Sequence, residues 1–272
     1  MKTAKLLLPL LAVALLAGCD KKAEEPAKPA AAVSYIDKIK ARDKLIVGVF
    51  TDKPPFGFVD ESGRYVGFDT DIGRRFAKDL LGDENKVEFV AVEPASRIPF
   101  LQSDKVDLIL ANMTVTPERK EAVDFTNPNL KVAVQALVAN ASPVKSLDDL
   151  ATRTTIVTTG TTADIWLTKN HPDWKLLKFE KNSESLQALS AGRGDAYAQD
   201  NLVLFSWAKQ NPGYRVLEQK LGDEAPIAPA VKKGKLGEEK YLLKLYDQYV
   251  RKELSDDTKP ESVIVEGGKW QG

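Results

Sequence analysis

The chain has 272 residues, of which 43% are hydrophobic, and its 39 basic residues balance its 39 acidic ones. A chain of this length and composition can bury one large hydrophobic core or two smaller ones. A near-neutral chain without a basic cluster releases few counterions from a polyanion, which argues against binding of DNA or RNA. One histidine and one cysteine offer little material for a metal cluster or a catalytic triad, so the sequence predicts no metal ion, no cofactor and no catalytic residue.

A signal peptide is predicted over residues 1–18. A basic start, Lys2 and Lys5, precedes an apolar run over residues 6–17, and small residues stand directly before Cys19. This order is typical of a secretory signal peptide. The run is shorter than the roughly 18 to 20 residues that a membrane-spanning helix needs, and such a helix is the alternative.

The single cysteine, Cys19, directly follows Leu16, Ala17 and Gly18. This stretch resembles a bacterial lipobox, whose cysteine is acylated and becomes the mature N-terminus. The resemblance implies a lipoprotein that Cys19 anchors to the cell membrane on its periplasmic or extracytoplasmic face, and an unpaired thiol is the alternative. Residues 19–34 mix charge with Pro and Ala without an apolar period, which predicts a flexible tether.

From residue 44 the chain alternates short β-rich apolar runs with helical stretches, which is typical of βαβ units. Asp69 is expected to cap the first long helix, and Gly82 is expected to end it. Strands are predicted over residues 45–50, 87–92 and 106–110, and helices over residues 69–80 and 97–103.

The same alternation restarts in the second half of the chain, which predicts a second α/β unit. Two apolar runs, over residues 132–138 and 227–231, are expected to cross between the units. Within the second unit, strands are predicted over residues 154–157, 176–179 and 196–199, and helices from residue 160 and over residues 183–191.

The two units predict an α/β fold with two lobes, each a mostly parallel sheet flanked by helices, joined by two crossover segments. Lobe 1 is expected over residues 35–135, with residues 230–265 returning to it, and lobe 2 over residues 136–229. A final helix is expected over residues 242–251, and residues 266–272 form a C-terminal tail. A single continuous domain is the alternative.

The first candidate site segment begins at Asn112, directly after a predicted strand. Thr116 is placed as a helix N-cap and Pro117 as the first helical residue. Arg119 puts a cation in the first turn, where it opposes the positive helix end and invites an anion between the guanidinium and the free N–H groups. A guanidinium suits a carboxylate, to which the Thr114 hydroxyl adds a bond. A solvated surface arginine is the alternative.

Two further turns join a strand end to a helix start. Residues 158–164 place threonines around Gly160, and such a turn presents N–H groups to an anion, although it lacks the lysine and glycine spacing of a P-loop. Asp200 either caps the helix that follows it or accepts an ammonium group. An ordinary capped turn is the alternative at both places. Together the three segments predict a site for the carboxylate and the ammonium of an amino acid.

A diproline loop follows the first strand and carries aromatic side chains. Phe50 or Phe56 is expected to wall a ligand side chain, and packing in the core is the alternative.

Six stretches follow one another along the chain: FTDKPPFGF, YVGFDTDIGRRFAKDL, SRIPFL, VDLILANMTVTPERKEAVDFTNP, TTGTTADIW and GDAYAQDN. In this order they resemble the polar amino-acid substrate-binding proteins of ABC importers. The resemblance covers nearly all of residues 35–231 and implies a two-lobed, type II periplasmic-binding-protein fold. Through GTTAD, GDAYAQDN, IAPAVKKG and SVIVEGGKW, the chain has a closer resemblance to cysteine-binding periplasmic lipoproteins.

The resemblance implies a role for each candidate residue. Arg119 and Thr114 hold the ligand carboxylate, the Thr162 backbone N–H assists from the other lobe, and Asp200 binds the ammonium. Arg97 is placed near the ligand, because acidic amino-acid binders use an arginine there, and a surface ion pair is its alternative.

This chain also departs from the family at two positions. Phe50 stands where many relatives have aspartate, and Lys53 stands where they have a stacking aromatic, which disfavours a histidine or arginine ligand. The candidate ligand-binding residues are Arg119, Asp200, Thr114, Thr162, Asn112, Arg97, Phe56, Lys53 and Phe50.

The sequence therefore predicts a monomeric substrate-binding lipoprotein. Its expected partners are a small polar L-amino acid, with cysteine favoured and an acidic amino acid as the alternative, and the permease subunits of an ABC importer. The competing hypothesis is an enzyme on the same fold, such as a cyclohexadienyl dehydratase. His171, the single histidine, is expected to be a bystander in a polar loop.

Overall fold

The computed structural model describes residues 34–234. The signal peptide, Cys19, nearly all of the tether, the helix predicted over residues 242–251 and the C-terminal tail lie outside the described residues. No helix within residues 34–234 is long and apolar enough to cross a membrane. In chain order, the first elements are α1 (Tyr35–Arg42), β1 (Leu45–Val49), β2 (Asp52–Lys53), β3 (Gly57–Val59), β4 (Tyr65–Val66), α2 (Phe68–Leu81), β5 (Val87–Ala91), α3 (Arg97–Gln102), β6 (Leu108–Ile109), α4 (Pro117–Ala122), β7 (Val123–Phe125) and β8 (Leu130–Ala139). The later elements are a 3₁₀ helix (Asp148–Thr152), β9 (Thr154–Thr158), α5 (Thr162–Asn170), β10 (Lys175–Phe179), α6 (Asn182–Ser190), β11 (Ala196–Asp200), α7 (Asn201–Gln210), β12 (Tyr214–Val216), β13 (Leu221–Ile227) and β14 (Ala230–Lys232).

Two mixed sheets carry the fold. The first sheet has the strand order β5-β1-β6-β14-β7, and the second has the order β10-β9-β11-β8-β12, with β13 also paired to β8. Strand β1 runs parallel to β5 and β6, and β9 runs parallel to β10 and β11. The remaining strands of both sheets pair antiparallel. The α/β class is confirmed.

The chain passes between the two sheets twice. It leaves β7 for β8 through residues 126–129, and it returns from β13 to β14 through residues 228–229. The crossings lie side by side, because the Thr126 N–H donates to the Pro229 carbonyl at 3.0 Å and the Asn129 N–H donates to the Ile227 carbonyl at 2.9 Å. The apolar run predicted as one strand over residues 227–231 is therefore divided between two strands in different sheets.

Alternating side chains of β1 pack on opposite faces of the first sheet. Leu45, Val47 and Val49 join the cluster that holds α1 and α2, while Ile46 packs on the cluster that holds α3. Alternation with period two is what a strand covered on both faces requires. The loops that follow β1, β6, β9 and β11 begin at the carboxyl ends of these strands, which is where ligand sites of α/β sheets form.

The start of α2 differs from the sequence prediction. The helix begins at Phe68 with Gly67 as its N-cap, while Gly82 ends it in the left-handed region as predicted. Gly67 has a φ of 113°, and a Cβ there would lie 2.5 Å from the Phe56 carbonyl oxygen, so only glycine fits this approach. Asp69 is therefore not the cap, because its side chain is buried inside the first turn and turned toward another loop.

Candidate ligand-binding site

Arg119 reaches from the first sheet to the second. Its helix begins as predicted, since the Thr116 hydroxyl accepts the Arg119 N–H at 3.2 Å and Pro117 is the first helical residue. The residue is 6% exposed, and its guanidinium donates to the Thr114 carbonyl at 2.8 Å and to the Gly160 carbonyl at 3.1 Å. Burial lowers the pKa of Arg119, and the charge of Asp200 opposes that shift. The side chain is a buried cation whose partners are carbonyl oxygens rather than a carboxylate.

Arg97 lies beside Arg119 at the same contact between the sheets. Its guanidinium donates to the carbonyl oxygens of Ala111 at 3.0 Å and Gly160 at 3.5 Å, and it lies 5.5 Å from the centre of the Phe50 ring. Burial lowers its pKa well below the usual value, and the neighbouring Arg119 adds to that effect. The surface alternative for Arg97 does not hold, because the residue is 3% exposed.

Asp200 stands at the N-cap position of α7 but does not cap it with its side chain. Its carboxylate instead accepts a hydrogen bond from the Asn112 side-chain amide at 3.0 Å and pairs with the Lys53 ammonium at 3.4 Å. Of the two roles that the sequence left open, the structure excludes the side-chain cap. The carboxylate is available as an acceptor for a positively charged group.

Lys53, a predicted ligand contact, lies among the charged groups of the site. Its ammonium lies 3.5 Å from the Gln199 side-chain oxygen and 5.2 Å from the centre of the Phe50 ring, and the residue is buried. Burial lowers the pKa of Lys53, while the charge of Asp200 raises it. The sequence marked this lysine as a ligand contact, but nothing local indicated that it pairs with a carboxylate 147 residues away.

The threonine-rich turn after β9 is arranged differently from the prediction. The Gly160 N–H donates to the Asp164 carboxylate at 2.9 Å, and the Gly160 carbonyl points at the two arginines. The turn therefore presents an acceptor to the site at this residue. Thr161 caps α5, and the Thr162 hydroxyl donates to the Thr114 hydroxyl at 3.0 Å across the contact between the sheets. The first N–H groups of α5 have no partner within the helix.

Asn112 joins the acidic and basic parts of the site. It lies in the left-handed region with a φ of 42°, its N–H donates to the Asp69 carboxylate at 3.1 Å, and its carbonyl accepts from Arg97 at 3.3 Å. Its side-chain oxygen is buried and has no hydrogen-bond partner among the described residues. An unpaired buried acceptor costs about 1 to 3 kcal/mol, which a donor from a ligand would offset.

The two aromatic candidates, Phe50 and Phe56, occupy different positions relative to the charged groups. The Phe50 ring is buried, and the charged groups of Lys53 and Arg97 both lie within 5.5 Å of its centre. Phe56 supports the loop through its backbone, because its N–H donates to the Lys53 carbonyl at 2.9 Å and its carbonyl accepts the Asp69 N–H at 2.8 Å. Phe50 is therefore the aromatic side chain that borders the charged groups.

Asp69 is the site residue that sequence reasoning missed. Burial raises the pKa of its carboxyl to about 7, although the Asn112 N–H and the charges of Lys53 and Arg97 pull it down. Two acidic residues in the first turn of α2 were visible in the sequence, but their burial was not. No group of three or more His, Cys, Asp or Glu side chains in the described part of the chain is arranged to hold a metal ion.

The raised pKa of Asp69 predicts a pH dependence of folding. Between about pH 4, where an unfolded aspartate titrates, and about pH 7, the folded protein keeps a proton that the unfolded chain releases. The free energy of unfolding should therefore fall as the pH rises through this window. Asp69→Asn keeps an acceptor for the Asn112 N–H and should reduce this slope, measured by urea unfolding at several pH values.

The slope should shrink rather than vanish, because burial also raises the pKa of Glu93 to about 7. Asp83→Asn, in the exposed loop after α2, is the matched control and should leave the slope unchanged. An Asp69→Asn variant with the slope of the unaltered protein would contradict the prediction.

Comparisons with known proteins agree with this architecture. The model of "Bacterial extracellular solute-binding proteins, family 3" matches residues 45–252. A glutamine-binding protein of Geobacillus stearothermophilus is 40% identical over 228 residues, covering 80% of this chain and 87% of the relative. The crystal structure of the solute receptor for L-cysteine of Neisseria gonorrhoeae has a TM-score of 0.74 and 45% identity, covering 84% of this chain and 98% of that one.

A third similar structure is that of the ancestral amino acid-binding protein AncCDT-1, a precursor of cyclohexadienyl dehydratase. It has a TM-score of 0.72 and 35% identity, covering 82% of this chain and 95% of that one. The predicted fold, a two-lobed α/β fold of the type II periplasmic-binding-protein kind, is confirmed by these similarities.

Proposed function

Because the chain belongs to the bacterial extracellular solute-binding proteins, family 3, we propose that it is the amino-acid-binding protein of an ABC importer, with L-cysteine as its ligand. It takes the amino acid between two lobes that close on it and delivers it to the permease subunits. A glutamine or acidic amino-acid ligand is the alternative that the experiment below distinguishes.

The observation that supports this function most directly is the pair of opposite charges, Arg119 and Asp200, buried where the loops of the two sheets meet. Arg119 offers a guanidinium whose present partners, the Thr114 and Gly160 carbonyl oxygens, are weaker acceptors than a carboxylate. Asp200 offers a carboxylate at the start of a helix that it does not cap. A zwitterion satisfies both groups at once. The N–H groups at the start of α5 favour the same carboxylate.

Binding on this basis is an exchange of partners. The ligand carboxylate replaces carbonyl oxygens at Arg119, and the ligand ammonium replaces the Lys53 ammonium at Asp200. A donor on the ligand also reaches the unpaired Asn112 side-chain oxygen. Since the ligand touches groups from both sheets, it stabilises the closed arrangement over an open one.

A close approach between loops of the two sheets gives a test of closure. A Cβ on Gly160 would lie 2.9 Å from the Ala95 backbone nitrogen and Cα, and Gly160 has a φ of 77°. Gly160→Ala should therefore hold the loops apart and weaken amino-acid binding by about 1 to 3 kcal/mol. Calorimetric titration measures this loss.

Gly192→Ala is the control for backbone strain. Gly192 has a φ of 68°, but a Cβ there would meet nothing within 4 Å. Both variants should lose similar folding stability, on the order of 1 kcal/mol from the left-handed conformation, while only Gly160→Ala loses affinity. Equal affinities of the two variants would contradict closure at this contact.

The proposed function is tested by titrating the full chain, purified in detergent, with the twenty common L-amino acids and with prephenate. Cysteine should bind tightest, since the cysteine receptor of Neisseria gonorrhoeae is 45% identical to this chain. Tightest binding of glutamine would make glutamine the ligand in place of cysteine and would leave the proposed role as an amino-acid-binding protein unchanged. Absence of binding by every amino acid would overturn the proposal.

Prephenate is included because of the similarity to AncCDT-1 and because Asp69 is a buried acid with a raised pKa. Such a group is what an enzyme on this fold requires as a proton donor. Turnover of prephenate would make the chain a dehydratase rather than a transport protein.

The proposal includes a lipid anchor at Cys19 and a periplasmic or extracytoplasmic location. The basic start, the apolar run and the small residues before Cys19 support it. A Cys19→Ser variant should leave the membrane fraction or lose the mass of the acyl groups. A variant that stays in the membrane fraction and shows no loss of acyl mass would overturn the anchor and leave the proposed amino-acid binding unaffected.

A further inference from the structure

The candidate site holds more buried positive than negative charge. Lys53, Arg97 and Arg119 are at most 6% exposed, and so are the carboxylates of Asp69 and Asp200. These five groups influence each other, because the pKa of each cation and of Asp69 is shifted by the charge of at least one of the others. Three cations against two carboxylates leave one positive charge without a buried counter-charge.

The other acidic groups near the site do not cancel this charge. Asp52 is half-buried and already accepts hydrogen bonds from Asn182 and from the Ser183 N–H at the start of α6. Glu118, close to Arg119, is exposed on the surface. The two further buried carboxylates among the described residues, Asp107 and Asp164, pair with Arg42 and Lys178.

A zwitterion does not remove the surplus, because it adds one positive and one negative charge. In the structure the Lys53 ammonium pairs with the Asp200 carboxylate at 3.4 Å. When the ligand ammonium binds Asp200 instead, Lys53 loses this carboxylate. Its other hydrogen bond is a long one of 3.5 Å to Gln199. A buried ammonium without a counter-charge is costly, so a negative group on the ligand stabilises the complex where a neutral group does not.

Resting on the proposed function, we infer that Lys53 is the specificity-determining residue and that it pairs with a negatively charged side chain of the bound amino acid. Cysteine then binds as the thiolate. The S–H bond of cysteine breaks on binding, its proton passes to the buffer, and the sulfur keeps the electron pair beside the Lys53 ammonium. No oxidant or reductant takes part.

The charged form of Lys53 depends on the carboxylates that face it. Burial lowers the pKa of Lys53 and Arg97 in α3 adds to that effect, while Asp200 at the end of β11 and Asp52 beside it in β2 favour the charged ammonium. Asp69 in α2 also interacts with Lys53, and protonation of Asp69 near pH 7 enlarges the positive surplus. The site is therefore more positive, not less, on the acidic side of neutrality.

The test compares cysteine with two ligands that cannot form a thiolate, serine and S-methylcysteine, on the full chain in detergent. Between about pH 6 and about pH 8, affinity for cysteine should rise roughly tenfold per pH unit relative to serine. The ultraviolet absorbance of the complex should show the thiolate at pH values where free cysteine is a thiol. Titration in buffers of different ionisation enthalpy should show release of about one proton more for cysteine than for serine.

Lys53→Met should remove the thiolate signal and bring the affinity for cysteine close to that for S-methylcysteine. Lys44→Met makes the same change at an exposed lysine that pairs with Glu88 on the surface, and it should alter nothing. Cysteine binding without a thiolate signal and with the pH dependence of serine overturns the inference while the proposed function stands. This result needs no variant, so a poorly folded Lys53→Met protein does not affect it.

Discussion

Replacing Arg119 by alanine is expected to weaken amino-acid binding at least roughly ten- to hundredfold. The guanidinium is buried, bridges the two sheets through Thr114 and Gly160, and offers two donors in a fork that fits a carboxylate. Loss of a charged hydrogen-bond partner costs at least about 1.5 to 3 kcal/mol. Calorimetric titration with the ligand identified in the amino-acid screen measures the loss.

Two further variants locate the effect at this group. Arg119→Lys keeps the charge but not the planar fork, and its affinity should lie between those of the unaltered protein and Arg119→Ala. Arg64→Ala removes an arginine whose side chain is 74% exposed and paired with Asp60, and it should bind normally. Full affinity of a folded Arg119→Ala protein would show that the carboxylate is held elsewhere.

The largest expected effect on folding comes from Asp200→Asn. This change leaves the Lys53 ammonium in the site without its carboxylate, and breaking a buried ion pair on one side costs about 3 to 5 kcal/mol. The asparagine keeps the shape of the side chain, so the lost charge rather than a cavity is measured. Urea unfolding of the ligand-free protein should show the lower stability, and amino-acid binding should be lost as well.

The double variant Lys53→Met with Asp200→Asn separates stability from binding. Because it removes both charges, it should recover most of the stability that Asp200→Asn loses. It should not recover affinity, since no carboxylate remains for the ligand ammonium. If the two single losses instead add up in the double variant, Lys53 and Asp200 do not act as a pair in the folded protein.

The local parts of the site were determined by short stretches of sequence. Thr116 and Pro117 start α4 as predicted, and Gly82 ends α2, because caps form between residues a few positions apart. The alternation of apolar runs and helical stretches also predicted the α/β class and a passage between the units near residue 227. Helix ends and the alternation of strands and helices depend on local backbone geometry, which residues close together in the sequence determine.

The tertiary structure decided how these segments meet. Asp200 was expected to cap a helix or to bind an ammonium, and only the approach of the two sheets places Lys53 and Asn112 against it. The same approach brings the Gly160 carbonyl to the arginines. Asp69 is buried against Asn112, in a segment 43 residues further along the chain, and this burial raises its pKa. Charge surplus in the site is therefore a property of the packing. The sequence contains all five charged residues, but the burial that removes water from them, and so gives their balance its energetic weight, arises between segments far apart in the chain.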